Sequence, residues 1–144
     1  MRVTVSNKLR AIIMGPPGSG KGTVAGRIVA AFPAMQHRSS GDLLRAQISK
    51  GTDLGKEAQT YINDGKVNWE ILIKNQFLTH YSQLVPDELV TKLILAEIPE
   101  SGSFLLDGFP RTPGQAAVLD EHVDIETVID LDVPFDVIMV SFDC

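Results

Sequence analysis

The sequence predicts an α/β fold in which a parallel sheet carries helices on both faces, and three observations support this. Segments of strand length recur: the apolar run Leu9–Met14, then Ala34–Ser39, Phe104–Leu106 and Thr127–Leu131. Between them, apolar side chains return every three or four residues, the spacing of a helix packed by one face. Strands separated by helices run parallel, because each helix carries the chain back to the end where the last strand began.

Each element has its own signal. Leu9–Met14 (LRAIIM) runs into Gly15-Pro16-Pro17-Gly18-Ser19-Gly20, a strand feeding a tight loop. Lys21–Ala31 carries Val24, Ile28 and Val29 as a helical stripe and is stopped by Pro33. After the strand at Ala34–Ser39, Ser40-Gly41 opens a helix through Leu43, Leu44 and Ile48, and a further helix spans about Leu54–Asn63 before Gly65. Val67–Gln83 has a stripe at Trp69, Ile73, Phe77 and Tyr81 and reads as an extra helix packed as an apolar seam. Pro86-Asp87-Glu88 is a helix start, with Leu89, Leu93, Ile94 and Ile98 as its apolar face. The strand at Phe104–Leu106 ends at Asp107; a helix over about Pro113–His122 and the strand at Thr127–Leu131 complete the order.

At 144 residues a single hydrophobic core is expected, since two domains would each be left with too little apolar surface. The 44% hydrophobic and 22% charged content is that of a globular chain. A net charge of −5 argues against a broad nucleic-acid surface. No apolar run approaches the length of a membrane span. The one cysteine, Cys144, allows no disulfide framework and no cysteine metal cluster. Too little chain precedes the glycine-rich turn for a cleavable secretory signal; the basic start is either an uncleaved import signal or a solvated strand edge. Charge is unevenly spread. Residues 1–41 hold Arg2, Lys8, Arg10, Lys21, Arg27 and Arg38 and no carboxylate. Past Arg111 there is no Lys or Arg, only Asp120, Glu121, Asp124, Glu126, Asp130, Asp132, Asp136 and Asp143.

Gly15-Pro16-Pro17-Gly18-Ser19-Gly20-Lys21-Gly22-Thr23 is a phosphate-binding loop in the context that gives such a motif meaning, after a strand and opening a helix. Glycines let successive N–H groups turn inward around a phosphate, the helix N-terminus adds partial positive charge, and Lys21 adds a full one. Gly22 stands where Ser or Thr usually follows the lysine, with Thr23 one place later.

Residues 15–23 resemble the loop of adenylate kinases, in which glycine commonly follows the lysine. The likeness continues in order: Ser39-Ser40-Gly41-Asp42-Leu43-Leu44-Arg45, then Gly65-Lys66 and Leu84-Val85-Pro86-Asp87-Glu88, then Asp107-Gly108-Phe109-Pro110-Arg111-Thr112 with Gln115, then Val133-Pro134-Phe135-Asp136-Val137-Ile138. The Ser39-Ser40 pair and the VPFDVI stretch lean toward the mitochondrial GTP:AMP phosphotransferase branch. The resemblance implies a P-loop NTPase-type sheet and a Mg²⁺-dependent enzyme moving the γ-phosphoryl of ATP or GTP to AMP. It gives the donor phosphates to Gly15, Pro16, Pro17, Gly18, Ser19, Gly20, Lys21, Gly22 and Thr23. It gives AMP to Ser40, Arg45, Lys66, Leu84, Val85, Gly108, Phe109, Pro110, Arg111 and Gln115, with Gln115 on the adenine edge and the two arginines on the α-phosphate. Lys21, Arg111 and Asp107 become the catalytic set, Asp107 holding Mg²⁺ through water. Two of these also have plain structural readings: Arg45 as a solvated helix residue, Asp107 as the cap of the following turn. A monomer is implied, in the mitochondrial matrix by branch and otherwise in the cytoplasm.

Against the family pattern the chain reads as a single partial domain over 1–144, with an AMP-binding subdomain at about 39–85 and an insertion at 67–83. It has four of five expected strands, in the family order 2-3-1-4-5, and stops before the lid. Family members complete their cationic clamp with arginines from the lid and the helix after it, and one such arginine is worth roughly 10³–10⁵ in rate in related phosphoryl transferases. Little turnover is therefore expected. The alternatives are a non-catalytic variant that binds only nucleotide or a partner, and another P-loop kinase with a different acceptor. An exposed sheet edge at 127–131 would also favour self-association.

Overall fold

The computed structural model describes residues 8–16, 18–64 and 85–134. The helix expected over 67–83 lies outside them, as do Pro17, Lys66, Leu84 and residues 135–144. Among the described residues four strands alternate with five helices: β1 (Arg10–Met14), α1 (Lys21–Ala31), β2 (Met35–Ser39), α2 (Ser40–Lys50), α3 (Asp53–Asp64), α4 (Asp87–Glu97), β3 (Ser103–Asp107), α5 (Pro113–His122) and β4 (Thr127–Asp130).

The strands form one parallel sheet in the order β2-β3-β1-β4. Register aligns their carboxyl ends. Asp107 on β3 stands opposite Ser39 of β2 on one side and Ile13 of β1 on the other, and Met14 stands opposite Asp130 of β4. The residues that follow these ends, Ser40, Gly108 and Gly15, therefore emerge along one edge of the sheet. In open α/β sheets that edge is where ligands bind.

Strand side chains alternate between two cores. Ile12, Phe104 and Leu106 face the larger cluster, filled by Leu44 of α2, Ala58 and Ile62 of α3, Leu89, Leu93 and Ile94 of α4, and Leu119 of α5. Ala11, Ile13, Met35 and Leu105 face the smaller one, where α1 supplies Ala25. Among the described residues helices thus cover both faces, four on one side and α1 on the other. On α1 it is the small Ala25 that is wholly buried; Val24 and Ile28 pack around it only partly covered. Alanine is too common on helix surfaces for a sequence stripe to single it out.

Element boundaries follow local chemistry. Pro33 and Ala34 form a turn in which the Met35 N–H donates to Phe32 O at 2.8 Å, so β2 begins at Met35, one residue later than the expected strand. Between α2 and α3 two residues do the punctuation. Gly51 takes the left-handed conformation that ends α2 (φ 64°), and Thr52 caps α3, its Oγ1 accepting from Gly55 N–H at 3.0 Å. β4 is shorter than expected, ending at Asp130, and its Val128 is 57% exposed.

Candidate functional site

The site is built at the carboxyl ends of β1 and β3. After β1 the chain passes through Gly15, Gly18 and Gly20, all at positive φ (145°, 78° and 84°), and enters α1 at Lys21. Gly20 is the N-cap and has no side chain, and the first turn of α1 carries no carboxylate. The helix's first N–H groups are therefore not capped by a side chain and remain for an anion. The Lys21 ammonium curls back over the loop, donating to Gly15 O at 2.7 Å and Pro16 O at 2.8 Å. Burial lowers its pKa; Asp107 raises it in part, and the like charge of Arg111 lowers it again. Lys21, Asp107 and Arg111 are thus within electrostatic reach of one another.

The turn after β3 is organised by one carbonyl. Gly108 O accepts from Ser40 Oγ at 2.9 Å and from Arg111 Nε at 2.6 Å, joining the starts of α2 and of the turn. Gly108 has φ 73°, and a Cβ there would lie 2.8 Å from Arg111 Nη2 and 2.9 Å from Ser40 Oγ. Only glycine lets these three groups converge. The Phe109–Pro110 peptide is cis. Desolvation of the Arg111 guanidinium over this turn lowers its pKa and Asp107 opposes that. Arg45, about a turn and a half along α2 from Ser40, is ion-paired with Asp42, and burial lowers its pKa.

A second set of bonds fixes the start of α5. Thr112 caps that helix, its Oγ1 accepting from Gln115 N–H at 3.2 Å, with Pro113 at the first helical position. Gln115 is 1% exposed, and its amide is engaged at both ends: Oε1 accepts from Arg111 N–H at 2.8 Å, and Nε2 donates to Asp87 Oδ1 at 3.0 Å. Thr112 Oγ1 donates to the other carboxylate oxygen of Asp87. Asp87, at the start of α4, thus ties the Asp107–Thr112 turn to the segment around Val85. A cavity of about 550 Å³ lies at the other end of the sheet, between Phe32–Met35 and the start of β1, and plays no part in this arrangement.

The loop, the lysine helix and the Asp-Gly-Phe-Pro-Arg turn all fall within residues 13–142, which match the family model described as "Adenylate kinase". The chain belongs to the adenylate kinase family. It is similar to the mitochondrial GTP:AMP phosphotransferase of Drosophila melanogaster, with 45% identity over 132 residues, 90% of this chain and 53% of that protein. It is also similar to the adenylate kinase of Streptomyces griseus (42% over 136 residues, 89% of this chain and 54% of that one). A mitochondrial GTP:AMP phosphotransferase of Saccharomyces cerevisiae matches at 40% over 137 residues, 88% and 53% respectively. The chain spans about half the length of these relatives.

Of the residues the sequence singles out, Lys21, Asp107 and Arg111 come within electrostatic reach of one another, and Ser40 and Arg111 meet at Gly108 O. Arg45 lies on α2, ion-paired with Asp42. Val85 and Phe109, which the resemblance assigns to AMP, are 2% and 1% exposed and belong to the larger core. Three residues beside the site are absent from the sequence-derived set. Asp87 and Thr112 carry helix-start signals, which say nothing of the amide they hold. His37 has no sequence signal at all; its Nε2 is buried without a hydrogen bond and lies 3.5 Å from Asp107 Oδ2. Adenylate kinases generally take Mg²⁺ with the nucleotide, and the residues present fit that mode. Among the described residues no cluster of three or more His, Cys, Asp or Glu forms a self-sufficient metal cage. Asp107 is a single carboxylate at the mouth of the phosphate loop, matching an ion held by one carboxylate, waters and substrate phosphates.

Proposed function

We propose that these residues form the donor-phosphate and acceptor side of a nucleoside monophosphate kinase that moves the γ-phosphoryl of ATP or GTP to AMP. The observation that carries this reading is the convergence of Lys21, Asp107 and Arg111 where β1 and β3 end, beneath an uncapped helix N-terminus. A phosphoryl group in transfer needs no covalent partner, so positioning and charge neutralisation supply the catalysis. Lys21 and the amides of the loop would hold the donor phosphates, Lys21 exchanging its two carbonyl acceptors for phosphate oxygens. Arg111 and Arg45 would hold the α-phosphate of AMP. The Asp42 partner of Arg45 is exposed and weakly bound, hence readily replaced. Asp107 would hold Mg²⁺ through water, and the ion would supply positive charge to the donor phosphates. Gln115 retains one N–H and one lone pair beyond its bonds to Asp87 and Arg111, enough for one two-point contact with the adenine edge.

The 144 residues carry no Lys or Arg after Arg111, and among the described residues Lys21, Arg45 and Arg111 are the cations assigned to the phosphates. We take the 144-residue chain to turn over slowly for that reason. The word mitochondrial in two relatives' names supports the same compartment here. In a coupled assay, ADP formation from AMP with ATP or GTP should be slow, while ATP binds to the chain and Lys21→Met loses that binding. Unchanged ATP affinity in Lys21→Met removes the phosphate-loop assignment; brisk turnover by the unaltered chain removes the claim of slow catalysis.

A further inference from the structure

Among the described residues, Asp87 is a carboxylate brought to the acceptor-side turn without any role assigned to it. It sits two residues after Val85, at the opening of α4, and both of its oxygens are used: Oδ1 by Gln115 Nε2 and Oδ2 by Thr112 Oγ1. We propose that Asp87 is a positioning residue that sets which way round the Gln115 amide lies, and through it selects the purine of the acceptor nucleotide. This rests on the reading that Gln115 meets the base.

A primary amide is nearly symmetric in shape, so packing alone cannot fix which end is oxygen. Here the two neighbours do so. A carboxylate only accepts, so it draws the NH₂ end; the Arg111 N–H only donates, so it draws the oxygen end. Turning the amide over would set oxygen against carboxylate and NH₂ against N–H, losing two bonds, one of them charge-assisted, within a residue that is 1% exposed. The amide therefore offers one N–H and one lone pair in fixed order. Adenine presents an acceptor at N1 and a donor at its amino group; hypoxanthine presents the reverse, N1–H and a carbonyl. An amide that cannot turn accepts the first and rejects the second.

The test is equilibrium binding of AMP and of IMP to the 144-residue chain, with ATP as a control for the phosphate loop. The unaltered chain should bind AMP at least tenfold more tightly than IMP, because a charge-assisted bond is worth about a factor of ten or more. Asp87→Asn, the same shape without the obligatory acceptor, leaves only the Arg111 N–H to orient the amide and should cut the AMP preference by about threefold or more while ATP affinity holds. If that variant does not fold, the pair Asp87→Asn with Gln115→Glu restores donor facing acceptor across the same gap. It should fold, and it should have lost the preference for AMP. Retention of the full AMP preference in Asp87→Asn overturns the role of Asp87 while leaving Gln115 at the base; retention in the double variant, which has no amide at 115, overturns the base contact and the inference with it. No preference in the unaltered chain overturns the base contact itself, and the inference with it.

Discussion

Lys21 donates to the carbonyls of Gly15 and Pro16 from a position where burial makes its charged form costly. That gives two pH dependences of opposite sign. The folded pKa is lowered below the ordinary value of 10.5, so between the two the unfolded chain binds more protons than the folded one. Stability contributed by this group therefore rises as pH climbs through that window. Phosphate binding goes the other way, since losing the proton removes the charge that attracts the ligand. ATP affinity should start to fall below pH 10.5 while the group's contribution to stability grows, and Lys21→Met should lack both effects. Binding and unfolding followed from about pH 7 up to the ordinary lysine value check this; affinity and stability falling together would contradict it. The sequence made the lysine legible, because its role is written in the loop around it. Asp87, His37 and the double engagement of Gln115 were not legible, because each depends on a partner remote in sequence or on a neighbouring strand.

Glycines on the helices show how packing decides what propensity alone cannot. Gly26, in the exposed part of α1, has open space where a Cβ would go, so Gly26→Ala should stabilise by about 0.5–1 kcal/mol through lower unfolded-state entropy. Gly55, near the start of α3, has the Gln47 carbonyl oxygen 2.1 Å from that position, because α3 crosses directly over the end of α2. Gly55→Ala forces the two helices apart and should cost about 1–3 kcal/mol. Urea unfolding of the two variants measures the contrast, and equal midpoints would refute the close approach. Nothing in the sequence distinguishes these glycines. By contrast the element order was readable throughout the described residues: α1 and α5 have the expected bounds, since Pro33 stops one and Thr112-Pro113 starts the other.

At the scale of the molecule, the sheet has unequal sides. Its larger core engages α2 to α5, its smaller one α1, and β4 is joined to the rest through β1 alone among the described residues. The alternating order of strands and helices was enough to predict a parallel sheet, since crossover geometry leaves little choice. How many helices each face would receive was not, since apolar stripes look alike whichever face they meet. The end of β4 matters beyond its own pairing. Leu131 N–H donates to Met14 O at 2.9 Å, and the Leu131 carbonyl oxygen and Cβ lie 3.0 Å from where a Cβ on Gly15 would be. That rung, just past the end of β4, is therefore wedged against the first residue of the phosphate loop. If fraying of that rung unseats the loop, ligand and rung are thermodynamically linked. Amide hydrogen exchange at Leu131 should then slow when ATP binds, by up to about a hundredfold at ATP about a hundred times its Kd, and should not slow in Lys21→Met. Unchanged exchange would mean that the rung opens without disturbing the loop. In the linked case, occupancy of the phosphate loop is recorded as a protection factor on the neighbouring strand.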